Sequence, residues 1–183
     1  MIRLVYNFIS ASLVLLASHG LLSAEPHHHH HGAHVHGAAT LLLAIENKSL
    51  QVELNSPAMN IVGFEHKPKN QKQKAAVKQA IKLLQTADNV FNFTGEANCK
   101  LRDVRVESGL NNEGHRDSLD HGSEHNEFQA SYVFNCSDPS ALKQIDVNLF
   151  KHFPSLENIR VEMITDKGQT ATTLTHKHHR LKL

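Results

Sequence analysis

This chain of 183 residues has only two cysteines and no excess of charge of either sign. Lys and Arg number 19 against 18 Asp and Glu, a formal net charge of +1 at pH 7. It therefore has no basic surplus to draw nucleic acid and no polybasic stretch to hold it on an anionic membrane. Catalytic signatures are missing too. No H-E-x-x-H sets two histidines on one helical face, no glycine-rich loop cradles phosphate, and no nucleophile elbow is present. Glu65-His66 and Glu124-His125 are adjacent pairs that do not share a helical face. The expectation is a binding protein that is not an enzyme; a structural module or a metalloenzyme is the weaker alternative.

Apolar runs long enough to suggest a membrane are confined to the N-terminus. Arg3 supplies a positive start, residues 4–17 are mostly apolar, and Leu22-Ser23-Ala24 resembles a small-residue cleavage site. The pattern reads as a signal peptide over residues 1–24. An uncleaved anchor is the alternative, although the stretch falls short of the roughly 20 apolar residues of a membrane span. Cleavage would leave an exported soluble chain from Glu25 to Leu183, with no membrane insertion after signal removal. In an oxidising compartment Cys99 and Cys136 are expected to form one disulfide. Their other reading is as soft zinc ligands, but neither belongs to a C-x-x-C pair. The disulfide would stabilise the fold by about 3–4 kcal/mol on the chain-entropy model and would anchor both ends of the segment between the cysteines.

Histidine is what the chain has in abundance: 16 residues, concentrated in three tracts. The first is His27, His28, His29, His30 and His31, continuing to His34 and His36. The second is His115, His121 and His125 among acidic residues, and the third is His176, His178 and His179. Neutral imidazole is a common ligand of first-row transition metals, so clustered histidines in polar segments suggest metal capture, with Zn2+ the expected ion. Imidazole also suits copper and nickel, so an exported copper- or nickel-binding protein, or a metal buffer, is the alternative. Protons compete for the same nitrogens, so capture should weaken at mildly acidic pH. His27 to His31, His115, His121, His176, His178 and His179 are expected to be weak or transfer sites, because a flexible tract must be ordered on binding. A purification tag is a second reading of the run at 27–31.

Residues 25–36 read as a histidine-rich disordered segment and 37–183 as one domain, with a histidine-rich loop at 111–126. Thr40 to Ile45 and the alternating Leu50, Val52 and Leu54 suggest a hairpin. One main helix is expected over about residues 70–87, capped by Asn70 and striped by Val77, Ala80, Ile81 and Leu84. Strands are expected around Val104 and Val106, over Phe128 to Cys136, at Ile145, Val147 and Leu149, and at Ile159, Val161 and Met163. The fold class is α+β, with mostly antiparallel strands.

A weak internal similarity aligns residues 34–45 with residues 125–136, so that His34 meets His125 and His36 meets Glu127. It raises the possibility of duplicated half-domains related by a pseudo-two-fold axis. Residues two apart on a strand share a face, so these four would project opposite the core. His34, His36, His125 and Glu127 are therefore the candidate tight site, a set suited to tetrahedral zinc. The competing reading is that the four never converge, since paired surface histidines are ordinary. Glu65 and His66 are reserve candidates, and His66 also suits a turn. His152, standing alone, reads as structural.

The motifs together carry a family resemblance. His34-Val35-His36-Gly37, Ser56-Pro57-Ala58 and Gly63-Phe64-Glu65-His66-x-Pro68 form its first part. The sequence His125-x-Glu127-Phe128-x-Ala130-x-Tyr132-x-Phe134-x-Cys136 and Phe150-x-x-Phe153-Pro154 form its second. The chain resembles the zinc-uptake-regulated periplasmic proteins, ZrgA-like, of Gram-negative bacteria. That resemblance implies a periplasmic zinc-binding protein made when zinc is scarce, whose histidine-rich loop passes metal to components of an ABC importer. The sequence leaves the oligomeric state open.

Overall fold

Alternation of apolar and polar residues marks β2, β5 and β7, the strands that carry much of the core of the large sheet. The computed structural model describes residues 35–94, 96–111 and 126–183. Strands β1 (Ala38–Glu46) and β2 (Ser49–Pro57) form a hairpin. Its turn runs through Asn47 at φ +52°, a conformation that asparagine tolerates better than most residues. Helix α1 (Ala58–Val62) follows, ending at Gly63 with φ +82°. Helix α2 (Gln71–Gln85) starts where the Asn70 side chain accepts a 2.9 Å hydrogen bond from the Gln73 amide. Then come α3 (Ala87–Val90), β3 (Phe91–Thr94), β4 (Cys99–Ser108) and β5 (Glu127–Cys136). The chain ends with β6 (Gln144–Val147), α4 (Leu149–His152), β7 (Asn158–Thr165), β8 (Gly168–Thr175) and β9 (Arg180–Lys182).

Six strands form one sheet in the order β4-β5-β2-β1-β7-β8, and β3-β6-β9 form a smaller one. All pairings are antiparallel except β1 with β7. The inner face of the large sheet buries Leu41, Leu43, Val52, Leu54, Phe128, Tyr132, Ile159 and Val161. Against it pack Val77 and Leu84 of α2, together with the small sheet. Phe91 meets Tyr132 edge-on at 5.1 Å, and Phe93 meets Phe134 at 4.8 Å, which holds β3 on β5. The Tyr132 hydroxyl donates to the Leu84 carbonyl at 2.7 Å, giving a partner to one of the carbonyls that a helix end leaves unpaired.

The mainly β, mixed α+β architecture agrees with the sequence, and the duplicated halves do not appear. β1 and β2 pair with each other, whereas β5 pairs with β2 and β4, and β6 lies in the other sheet. A 3-10 turn at Pro139–Ala141, capped by the Asp138 side chain, lies between β5 and β6. Leu149 begins α4 and does not extend the preceding strand. The helix expected over about 70–87 ends at Gln85, and α3 is a separate turn beyond Thr86. Cys99 and Cys136 sit opposite one another in the β4–β5 register and are bonded, S–S 2.02 Å. This bond closes the end of the pair remote from residues 112–125; at the other end Ser108 faces Phe128. It therefore pins the far end of the hairpin and does not clamp the ends of the histidine-rich segment.

Candidate metal site at one end of the sheet

The strand registers bring several of the marked residues to a single end of the large sheet. β1 and β7 both start there, as does β5, while β2, β4 and β8 finish there. His36 lies two residues before β1, Glu127 opens β5, Glu157 immediately precedes β7, and His176 immediately follows β8.

His36 stands in a turn, not on a strand. The Ala38 amide donates to the Val35 carbonyl at 3.1 Å, and Gly37 takes φ +83°, the left-handed region that a residue without Cβ enters freely. The shared-face argument for His34 and His36 therefore does not apply, because β1 begins only at Ala38. Asn60, 2 % exposed, sets this turn. Its Oδ1 accepts from the Gly37 amide at 2.7 Å, and its Nδ2 donates to the Ala38 carbonyl at 2.8 Å and to Ser56 Oγ at 3.2 Å. The Gly37 carbonyl accepts from the Glu157 and Asn158 amides at 2.7 and 2.9 Å. Both peptide groups of Gly37 are thus held by the protein, and His36 hangs from a fixed point.

From there the imidazole reaches toward the segment after α1. His36 Nε2 lies 3.3 Å from Glu65 Oε2, with the histidine side chain 58 % exposed and the glutamate 29 %. That separation is long for a charge-assisted hydrogen bond, which prefers about 2.7–2.9 Å. It is close to the ~3.4 Å between two donors that share a tetrahedral zinc at about 2.0–2.1 Å each. Imidazole with carboxylate is a donor pair suited to zinc.

His66, next along, is exposed, with its ring stacked on Phe64 at 5.2 Å. Its Nδ1 faces the Lys67 carbonyl at 3.0 Å. A carbonyl only accepts, so Nδ1 is the donor in this contact, and in the neutral ring the lone pair then falls on Nε2.

Glu127 lies opposite Pro57 at the start of β5, two strands from β1 and about 10 Å away by strand spacing. At the other side of the sheet end the His176 ring rests 5.0 Å from Phe150, and His179 Nδ1 donates to the His176 carbonyl at 3.2 Å. His178 is exposed in the same bend, and His152 is exposed in α4. His34, His125, His115, His121 and His27 to His31 lie outside the described residues. Among the described residues, no three His, Cys, Asp or Glu side chains converge as a metal cluster. Of the marked residues that are described, His36 and Glu65 come together as a pair.

Asn60 and Glu157 escaped the sequence reading. A buried asparagine in a five-residue helix has no sequence signature of its own. Glu157 gains meaning only from the parallel pairing of β7 with β1, which joins segments about 120 residues apart and has no local signal.

Among the described residues no helix is long and apolar enough to cross a membrane. Residues 33–183 match a family model described as ZrgA family zinc uptake protein. No curated protein matches the chain.

Proposed function

Because the chain belongs to the ZrgA family of zinc uptake proteins, we propose that it captures Zn2+ in the periplasm and assists delivery of the ion to an ABC importer, as a binding protein without catalytic turnover. One observation carries this reading: His36 and Glu65, from two separate sequence motifs, meet at 3.3 Å at the end of the six-stranded sheet. The tight site is built on that pair. His34 and His125, which border the described residues, are its further imidazole donors, with Glu127 as a carboxylate from β5 and His66 in reserve. The tracts at His27 to His31, His115 with His121, and His176 to His179 serve as weaker transfer sites.

Affinity should separate these classes. A site on folded elements has met its ordering cost during folding, whereas a flexible tract meets it at binding. Calorimetric titration of zinc into the metal-free chain from Glu25 onward is expected to give one strong event followed by several weak ones. Deleting His27 to His31 should remove weak events only. A single uniform class that disappears with that deletion would overturn the reading.

A further inference from the structure

The two edges of the six-stranded sheet differ in kind. At one edge β4 carries Lys100, Arg102, Asp103, Arg105 and Glu107, all exposed, the sort of charge that keeps an open strand from pairing with another chain. At the other edge β8 has no charged residue and no proline, and Gly168 to Thr173 are exposed. Its backbone is open as well. Alternate residues of an antiparallel strand turn their N–H and C=O groups to opposite sides. The Thr175 amide donates to the His178 carbonyl at 3.0 Å. Asn158, opposite Thr175 in the register, donates to the Gly37 carbonyl on the β1 side at 2.9 Å. Thr175 therefore points away from β7, and Thr173, Ala171 and Gln169 point away with it. Among the described residues β8 has β7 as its one strand neighbour, so the N–H and C=O groups of these three face outward without a strand partner. His178 stands beside Thr175 and ends the open run there.

We infer that β8 is the docking edge for a second copy of this chain, paired antiparallel about a two-fold axis at Ala171. The open run from Gln169 to Thr173 has Ala171 at its middle. Pairing with its own copy sets Gln169 opposite Thr173 of the partner copy, and each outward N–H meets an outward C=O. The side chains agree with this. Ala171 is the smallest of the run and meets itself at the axis, while Thr170 meets Thr172 of the partner copy, a favourable cross-strand pair. A run without charge meets no like-charge repulsion in pairing with itself. Its ends favour the antiparallel order. Exposed Asp166 and Lys167 form the turn before β8, and exposed His176, Lys177 and His178 follow it. The two-fold brings Asp166 of each copy to the end of the partner that carries Lys177, whereas parallel pairing would set like ends together. β8 finishes at the sheet end that holds His36 and Glu65, so the candidate metal sites of the two copies lie at opposite ends of the joined sheet. Such an interface is isologous and closes at the dimer.

Sedimentation velocity of the chain from Glu25 onward tests this, run over a concentration series with a chelator present to keep metal from bridging the histidine tracts. Wild type is expected to pass from monomer to dimer as concentration rises, with the weak affinity of a small interface. Ala171→Lys sets two ammonium groups against each other at the axis and is expected to raise the dissociation constant by roughly tenfold or more. Its melting temperature at a concentration where both chains are monomeric should match that of wild type, because the position is exposed. Thr173→Lys is a second variant on the same edge, and it carries the test if Ala171→Lys melts lower. Arg102→Ala, on the β4 edge, should associate like wild type. A wild-type chain that stays monomeric throughout the series would overturn the inference, as would association that runs on past the dimer. A dimer that both lysine variants leave intact, or that Arg102→Ala dissolves while they do not, would place the interface elsewhere and overturn it equally.

Discussion

The amide of Gly37 donates to Asn60 Oδ1 at 2.7 Å, inside the protein, and this bond sets where His36 can stand. Asn60 serves three partners from one buried side chain, so removing it strands the Gly37 amide, the Ala38 carbonyl and the Ser56 hydroxyl together. Leaving a buried polar group unpaired costs about 1–3 kcal/mol. Asn60→Ala is expected to lower the unfolding free energy by at least that amount in urea denaturation and to weaken zinc binding. Gly37→Ala is expected to cost about 1–2 kcal/mol, mainly from the left-handed backbone, since the Glu157 side chain can move away.

The disulfide gives a prediction of the opposite kind. Cys99 and Cys136 are 37 residues apart, and reducing their bond should cost about 4 kcal/mol on the chain-entropy model. They sit at the far end of the β4–β5 pair from Glu127. Calorimetry on a Cys99→Ala, Cys136→Ala chain should show a large drop in melting temperature, yet zinc affinity at a temperature where the chain is still folded should stay near wild type. A large loss of affinity there would mean that the site is not confined to the opposite sheet end.

Tyr132 supplies a readout of the core. Burial pushes its phenol well above the ordinary value near 10. Above that pH the unfolded chain gives up a proton that the native state retains, so stability should fall as pH rises. In the chain from Glu25 onward Tyr132 is the only tyrosine and there is no tryptophan, so tyrosinate absorbance reports this residue alone. The absorbance should develop together with unfolding and not before it. Tyr132→Phe should cost about 1–3 kcal/mol at neutral pH, because the Leu84 carbonyl loses its partner, and should flatten the alkaline decline.

What was legible in the sequence follows from how local each signal is. β1 declares itself through its apolar run from Thr40 to Ile45, β2 and β5 through alternation, and α2 through its helical stripe and the Asn70 cap. β8 has Gly168, Gln169 and four threonines, is exposed over most of its length on both faces, and so shows no apolar alternation. β3 and β9 are too short for a period to register. The supposed duplication failed for a related reason: two amphipathic strands resemble one another whatever they pair with, and pairing is decided by distant residues. At the site, H-x-H-G and G-F-E-H were visible as separate motifs. Their meeting through Asn60 and α1 was not, nor was the approach of Glu157.

The central claim is that tight binding belongs to the sheet end, with the histidine tracts in a lesser role. Zinc affinity of His36→Ala and His125→Ala, set beside that of His115→Ala and His121→Ala, tests it most directly. The first two variants should lose tight binding by about a hundredfold or more while melting like wild type without metal, and the second two should keep it. If the His115 and His121 variants lose tight binding and the His36 variant retains it, the site lies in the histidine-rich segment between β4 and β5, and this account of the sheet end is wrong.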